Sequence, residues 1–557
     1  MCLNVLRFAI WLAIVNSCLS ADGPIITTSG GQVQGTTESC GLFCTYYSFK
    51  GIPYAEPPTG ARRFTNPVPH SGWSGVRDAS AHGSSCPSPD MNPTENEDCL
   101  FLNVYSPSLI GTRPVMVWIH GGSFNSGSGN VGLYDSKFFM PEDVVIVTVN
   151  YRLGVLGFFS TGDRSASGNW GIKDCVEALR WVQRNIVAFG GDPNNVTIFG
   201  QSAGGAMVHY LTLSPLTTGL IHRAITQSGS ALNLWAFQPN PRVHANQLAT
   251  AFGLSTTDTA SLVAGLKQVP YRDLVAFQGG IYAPEVPLLV RTIDFTPVVE
   301  PSDAPEPIAL GRRPMDILED GSYNTIPIMA GFTDMDSLLF TTMESVSNPG
   351  VFNTFNNNPH FLVPVFWNIA QGSSESTAVS QAFRQYYWQG QQLSAALLVE
   401  LTRFLTDYAY SYPQLEMAKR HALRSPVYVY QFSYDGDLNL MKRAFWIPFP
   451  GAVHMDDLGY LFDMHDLKMT EVPQTSHAIT VRNRMLRLWT NFAKYGNPTP
   501  SADALLQNVI WSPISGGTVN AGLDIGHNLI SGPNPIASRH NQWVELAGRY
   551  ANNIFRG

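Results

Sequence analysis

Val196-Thr197-Ile198-Phe199-Gly200-Gln201-Ser202-Ala203-Gly204-Gly205 is an apolar run that ends in a Gly-x-Ser-x-Gly motif. The β-branched residues before the motif predict a strand, and Ala206-Met207-Val208 favours the start of a helix. A sharp turn of this kind holds the serine hydroxyl above the free amides of the helix N-terminus. The glycines lack a Cβ, so the strand and the helix can approach closely. The sequence therefore predicts that Ser202 is a nucleophile.

Apolar runs of strand length lie on both sides of this motif along the chain. Those at 115–119 and 144–149 are continuous, as is typical of strands with helices on both faces. The other predicted elements are a helix at 174–186 and short strands at 224–226, 326–330 and 427–432. This alternation predicts an α/β fold with a large, mostly parallel sheet, in which active groups gather at the carboxyl ends of the strands.

The composition indicates a large folded protein. Hydrophobic residues make up 44% of the chain and charged residues 14%, so a sizeable core is expected and disorder is not. The net charge of −8, without a basic cluster, argues against a nucleic-acid partner. We predict neither a metal nor a cofactor.

The first residues have the pattern of a secretory signal. Arg7 supplies a positive charge, residues 8–15 are apolar, and the small residues up to Ser20 offer a cleavage site. A membrane anchor would need about 20 apolar residues, and this run is far shorter. We predict a signal peptide over 1–20, one domain over 21–557, and secretion from the cell without a stable membrane anchor.

The cysteines fit an oxidising compartment. Cys86 and Cys99 enclose a short loop that a disulfide would close. Cys40 and Cys44 could close a hairpin tip, and their pairing is left open. Cys175 stands in a predicted helix and is expected to be a buried thiol.

A single sequon, Asn195-Val196-Thr197, also fits an exported protein. It lies at the start of the strand that leads to Ser202, where burial would block the glycosyltransferase. Whether Asn195 is glycosylated is therefore left open.

Several further motifs lie along the chain. They are Gly51-Ile52-Pro53-Tyr54-Ala55-Glu56-Pro57-Pro58, Arg63-Phe64, Glu97-Asp98-Cys99-Leu100-Phe101-Leu102-Asn103-Val104-Tyr105, His120-Gly121-Gly122 and Asn150-Tyr151-Arg152. Together with the serine motif they resemble type-B carboxylesterases, the carboxylesterase/cholinesterase family, from about Gly30 to the C-terminus. The resemblance implies an α/β-hydrolase fold with a catalytic serine, an acidic residue and a histidine in that order.

A serine hydroxyl needs a histidine to accept its proton and a carboxylate to orient that histidine. The segment Gly451-Ala452-Val453-His454-Met455-Asp456-Asp457 is similar to the family's Gly-x-x-His-x-x-Asp/Glu motif and selects His454. His465 and His477 lie nearby as competitors.

The resemblance places the carboxylate five residues after a strand-ending glycine, Gly331, and so selects Asp336. Asp334 is the rival candidate. The chain departs from the family here, because glutamate is usual at Asp336 and glycine at Ser337. Aspartate performs this role in other α/β-hydrolases.

A tetrahedral oxyanion needs preorganised amide donors. The resemblance assigns this role to the backbone N–H groups of Gly122, Ser123 and Ala203. Because the donor at Ser123 is main chain, a serine in place of the usual glycine or alanine should be tolerated. Ser228 matches a family serine that supports the acidic residue; the alternative is that it only ends a strand.

Two features bear on the substrate, which the resemblance identifies as a small-molecule ester. Cholinesterases carry a tryptophan between the cysteines of the first disulfide loop, and nothing between Cys86 and Cys99 is aromatic. They also carry glutamate where this chain has Gln201. Both differences favour uncharged substrates, and the Gly-Gln-Ser-Ala-Gly motif is similar to that of insect juvenile hormone esterases, which cleave methyl esters. The match is partial, because that group usually has Asp-Gln where this chain has Asp174-Cys175. A general secreted carboxylesterase therefore stays open beside it.

Two other functions stay open. A catalytically silent adhesion or binding member of the fold would lack triad residues, whereas Ser202, His454 and an acid are present here. An interfacial lipase would carry an amphipathic lid, and none stands out in the sequence.

Overall fold

The protein is described by a computed structural model covering residues 23–90, 92–278, 286–305, 307–467, 472–551 and 555. The predicted signal peptide, 1–20, lies outside the described residues. None of the helices in these ranges combines the length and the apolar character that a membrane crossing requires.

The strands are β1 (Ile25–Thr28), β2 (Gly31–Gln34), β3 (Thr36–Gly41), β4 (Cys44–Pro53), β5 (Val76–Asp78), β6 (Phe101–Ser106), β7 (Arg113–Ile119), β8 (Val145–Val149), β9 (Gly191–Gln201), β10 (Arg223–Gln227), β11 (Ile328–Thr333), β12 (Val427–Phe432), β13 (Ala521–Ile525) and β14 (Leu529–Pro533). Within the described ranges, eleven of them form one sheet, in the order β14-β13-β12-β11-β10-β9-β7-β8-β6-β4-β3. The others, β1, β2 and β5, form a small separate sheet.

The α-helices of the described residues are α1 (Val131–Tyr134), α2 (Gly154–Phe158), α3 (Trp170–Asn185), α4 (Ala203–Leu213), α5 (Pro241–Ala251), α6 (Thr259–Gln268), α7 (Tyr271–Gln278), α8 (Pro314–Asp320), α9 (Leu338–Ser347), α10 (Val351–Asn357), α11 (Ser374–Trp388), α12 (Leu398–Thr406), α13 (Tyr412–His421), α14 (Leu440–Ala444), α15 (His477–Tyr495) and α16 (Ala537–Tyr550).

The centre of the large sheet is parallel. Strands β8, β7, β9, β10, β11, β12 and β13 pair in parallel with their neighbours in that order, and antiparallel pairs flank them. The predicted mostly parallel sheet is thus confirmed. The strand predicted at 326–330 instead begins at Ile328, because Pro327 has no N–H for the strand ladder.

The central strands of the sheet are buried on both faces. Along β7, Val115, Val117 and Ile119 pack into one apolar core, while Met116 and Trp118 pack into a second core on the other face. This explains why the central strands are continuous apolar runs rather than alternating ones.

Buried ion pairs tie loops to helix α3 and to each other. The guanidinium of Arg152 donates to both carboxylate oxygens of Asp174 in α3, at 2.8 and 2.7 Å, and both side chains are buried. Arg63 makes a similar two-point pair with Glu97, at 2.7 Å for each bond. The first pair holds the motif that ends in Arg152, and the second joins the motifs that begin at Arg63 and Glu97.

We expect Asp174→Asn to lower the free energy of unfolding by about 3 kcal/mol, because it leaves the Arg152 guanidinium buried without a compensating charge. Urea unfolding would measure this. The matched control in the same helix is Arg180→Met. It removes an ion pair with Glu177, and the Arg180 side chain in that pair is 44% exposed. Its expected cost is below about 1 kcal/mol. Equal shifts for the two variants would contradict the prediction.

Candidate active site

Ser202 lies at the sharp turn between β9 and α4. Its backbone has φ 59° and ψ −128°, a conformation that residues with a side chain rarely adopt. The Ser202 N–H donates to the carbonyl of Gln227 at the end of β10, at 2.8 Å. Ser202 is partly accessible, although the turn around it is buried.

The turn is possible because glycines surround it. A Cβ atom on Gly204 would lie 2.0 Å from the carbonyl oxygen of Ile119 at the end of β7. A Cβ on Gly229 would lie 2.0 Å from the carbonyl oxygen of Ser202. Neither position has space for a side chain.

His454 and Asp336 form a buried pair. Nδ1 of His454 lies 2.6 Å from Oδ1 of Asp336, and the two side chains are 2% and 0% exposed. Oδ2 of Asp336 accepts hydrogen bonds from the Ser228 hydroxyl at 2.7 Å and from the Thr333 N–H at 3.1 Å. Because a carboxylate can only accept, Nδ1 carries the proton and Nε2 of the neutral ring is the basic nitrogen.

The competing residues point elsewhere. Asp334 accepts a hydrogen bond from the backbone N–H of Ala452 at 2.7 Å, and burial raises its pKa to about 6. His465 contacts Asp135 at 2.8 Å, and His477 contacts the carbonyl of residue 527 at 2.9 Å. Of the candidates, the structure places Asp336 against His454.

The loop after β7 lies against the serine. A Cβ on Gly121 would be 3.1 Å from Cβ of Ser202, and Gly122 has φ +118°. In the described part of the chain, nothing accepts a hydrogen bond from the N–H of Gly122, Ser123 or Ala203. The N–H of Ala203 is one of those left free at the start of α4. These amides are available to an anionic oxygen near Ser202.

An aromatic wall, made of Phe340, Tyr410, Trp235 and Phe124, begins at His454. The rings of Phe340 and Tyr410 lie 5.3 and 4.9 Å from the imidazole. Tyr410 continues to Trp235 at 6.0 Å, and Trp235 continues to Phe124 at 6.4 Å. The surroundings of the imidazole on this side are therefore apolar.

Tyr410 is held by an irregular helical turn. Asp407–Ser411 forms a π-helical turn between α12 and α13. The buried carboxylate of Asp407 accepts a hydrogen bond from Arg539 of α16 at 2.8 Å, which anchors the turn. Such turns are frequent at functional sites. No motif in the sequence points to Tyr410, since a π turn leaves no clear pattern in a single sequence.

A second buried carboxylate, Asp457, lies close to the pair. Oδ2 accepts a hydrogen bond from the Gln227 amide at 2.7 Å, while Oδ1 has no partner among the described residues. Burial raises the pKa of Asp457 to about 6, and the nearby charge of Asp336 adds to the rise. Its signal in the sequence is its place three residues after His454.

One cluster has the donor atoms of a metal site. Ligand atoms of Asp135, Asp463 and His465 lie within 4.8 Å of one another. The ammonium of Lys137 pairs with Asp463 and lies 3.8 Å from Asp135. Lys137 therefore supplies the positive charge that a cation would bring.

The cysteine pairs and the sequon are not part of the site formed by Ser202, His454 and Asp336. Disulfides join Cys86 to Cys99 and Cys40 to Cys44, and the thiol of Cys175 is free and buried. The Asn195 side chain is half-buried in β9 and accepts a hydrogen bond from Arg223.

Comparison with known proteins agrees with this geometry. Residues 22–530 match the family described as "Carboxylesterase family". Bile salt-activated lipase of Rattus norvegicus is 34% identical over 89% of this chain and 81% of its own. A juvenile hormone esterase of Tribolium castaneum is also 34% identical, over 92% of this chain and 89% of its own.

A solved structure is similar over nearly the whole chain. It is the juvenile hormone esterase of Manduca sexta with OTFP covalently attached. It has a TM-score of 0.83 and 29% identity, and the match covers 95% of this chain and 100% of that one. The predicted α/β-hydrolase fold is confirmed.

The raised pKa of Asp457 predicts a pH-dependent stability. The folded state keeps this proton up to about pH 6, whereas the unfolded chain releases it near pH 4. Stability contributed by the protonated group is therefore lost as the pH rises from about 4 to about 6. Asp457→Asn cannot lose this proton.

Relative to the unchanged protein, Asp457→Asn should gain up to about 3 kcal/mol of unfolding free energy between pH 4 and pH 7. Urea unfolding at a series of pH values measures the difference. The exposed Asp90→Asn controls for loss of a charge. A difference for Asp457→Asn that is the same at every pH would contradict the prediction.

Proposed function

The chain belongs to the carboxylesterase family of carboxylic ester hydrolases, and on this basis we propose that it acts outside the cell through an acyl-enzyme on Ser202. The observation that carries the proposal is the buried Asp336–His454 pair beside the serine turn. Gln201, the residue before Ser202, lies 3.1 Å from Nε2 of His454, so the basic nitrogen faces the turn.

In the proposed reaction, Oγ of Ser202 attacks the ester carbonyl carbon and its proton passes to Nε2 of His454. The oxyanion accepts hydrogen bonds from the N–H groups of Gly122, Ser123 and Ala203. The bond to the leaving oxygen then breaks, and that oxygen takes the proton from Nε2. Water, activated in the same way, releases the acid and restores the serine.

Asp336 stabilises the imidazolium that forms in this reaction, and Ser228 holds the Asp336 carboxylate in place. The hydrogen bonds that Asp336 accepts from Ser228 and Thr333 fix the orientation of its carboxylate towards His454. The shorter aspartate reaches His454 at 2.6 Å, so the family's usual glutamate is not required for this contact.

We propose uncharged, apolar esters as substrates, with juvenile-hormone-like methyl esters as a specific candidate. The aromatic wall beside His454 favours an apolar group, and Gln201 offers no charge to attract a cation. The similarity to two juvenile hormone esterases supports this class. Cys175, at the position where that group usually has glutamine, is a buried thiol in α3.

An interfacial lipase is the second candidate, favoured by the 34% identity to a bile salt-activated lipase. Rates on long-chain esters that rise sharply above the solubility limit would support it. A catalytically silent role is disfavoured by the assembled Asp336–His454 pair.

We expect Ser202→Ala to lower kcat by about 10⁴- to 10⁶-fold, since it removes the nucleophile. The assay compares methyl esters of short and long acyl chains with a choline ester, and an organophosphate should add its mass to the peptide of Ser202. Choline ester turnover above that of the methyl esters would overturn the substrate class. Labelling at another serine would overturn the mechanism.

We expect Asp336→Asn to lower kcat by about 10⁴-fold, because the imidazole is then held in the wrong tautomer. Asp334→Asn is the matched control and should keep kcat close to that of the unchanged enzyme. Steady-state kinetics on one ester, with circular dichroism to check folding, decides between them. A large loss in the Asp334 variant and a small loss in the Asp336 variant would reverse the assignment.

A further inference from the structure

Gln201 makes a polar contact that the proposed reaction does not use. It is the last residue of β9, it is 1% exposed, and its side-chain Nε2 lies 3.1 Å from Nε2 of His454. Within the described part of the chain, no hydrogen bond links the Ser202 hydroxyl to the same nitrogen. The basic nitrogen of the resting site is thus bonded by the residue next to the nucleophile.

The protons in this contact follow from Asp336. Because the Asp336 carboxylate fixes the proton of His454 on Nδ1, Nε2 of the neutral ring has only a lone pair to offer. The neighbouring atom must therefore be a donor, as the amide nitrogen of Gln201 is. An amide oxygen at this distance would place two lone pairs against each other.

We infer that Gln201 is a positioning residue that holds His454 neutral in the resting site and yields its place to the hydroxyl of Ser202. This inference rests on the proposed function. Once Nε2 is protonated, it and the Gln201 amide are both donors and repel each other. The amide therefore favours the unprotonated imidazole before the reaction and return of the proton to the leaving oxygen during it.

The other titratable groups that face His454 among the described residues are Asp336, Asp457 and Tyr410. Asp336 and an ionised Asp457 attract a proton onto the imidazole. Burial and the charge of Asp336 raise the pKa of Tyr410 well above its usual value, so it stays neutral. Gln201 is not titratable, and its amide donor opposes protonation of the imidazole, whereas the two carboxylates favour it.

The test is the acidic limb of the pH profile of kcat/KM in Gln201 variants. Gln201→Met keeps the volume and removes the donor, so the midpoint should rise by about half a pH unit. Gln201→Glu replaces the donor with an acceptor for the protonated ring, and its midpoint should rise by about one unit or more. A residue that only fills space would change thermal stability and leave the midpoint in place.

A midpoint in Gln201→Met that is unchanged or lower would overturn the inference. A second measurement does not depend on turnover or on folding of these variants. In the Ser202→Ala protein with ¹⁵N-labelled histidine, Nε2 of His454 should show the chemical shift of a hydrogen-bonded acceptor, and Nδ1 that of a protonated nitrogen. A protonated Nε2 at neutral pH would refute the inference even if the enzyme proved inactive, and failure of the esterase assay alone would count only against the proposed function.

Discussion

The contact between α4 and the end of β7 is the constraint on which the site depends. Gly204 in the first turn of α4 lies so close to the carbonyl of Ile119 that a methyl group has no room. This contact draws the helix N-terminus, the serine turn and the loop after β7 into one small volume. The N–H of Ser202 then reaches the carbonyl of Gln227 in β10, which locks the strained serine to the neighbouring strand.

The parallel sheet brings the remaining groups to the same edge. Asp336 follows β11, Ser228 follows β10 and Ser202 follows β9, so three adjacent strands bring three side chains to one edge of the sheet. Of these, Ser228 and Asp336 are hydrogen-bonded to each other. His454 comes from a loop beyond β12 and reaches this edge through its bond to Asp336. The result is a chain of hydrogen bonds from Ser228 to the imidazole, buried away from competing water.

The sequence predicts those site residues that stand in a short motif with fixed spacing. The serine turn has a strand before it and glycines around it, and His454 stands in a motif with fixed spacing. Local sequence does not separate Asp336 from Asp334, which has the same chemistry two residues away; the direction of each side chain does. Tyr410 and the contact of Gln201 with His454 depend on packing between residues far apart in the chain, which no spacing rule reveals.

The π-helical turn at Asp407–Ser411 limits which deletions this chain can accept in evolution. A helix advances by about 100° per residue, so a π turn accommodates one extra residue without turning the following helix out of phase. Loss of a single codon here would restore a regular helix and swing Tyr410 away from His454. The number of residues in this short segment therefore decides which side chain lies beside the imidazole.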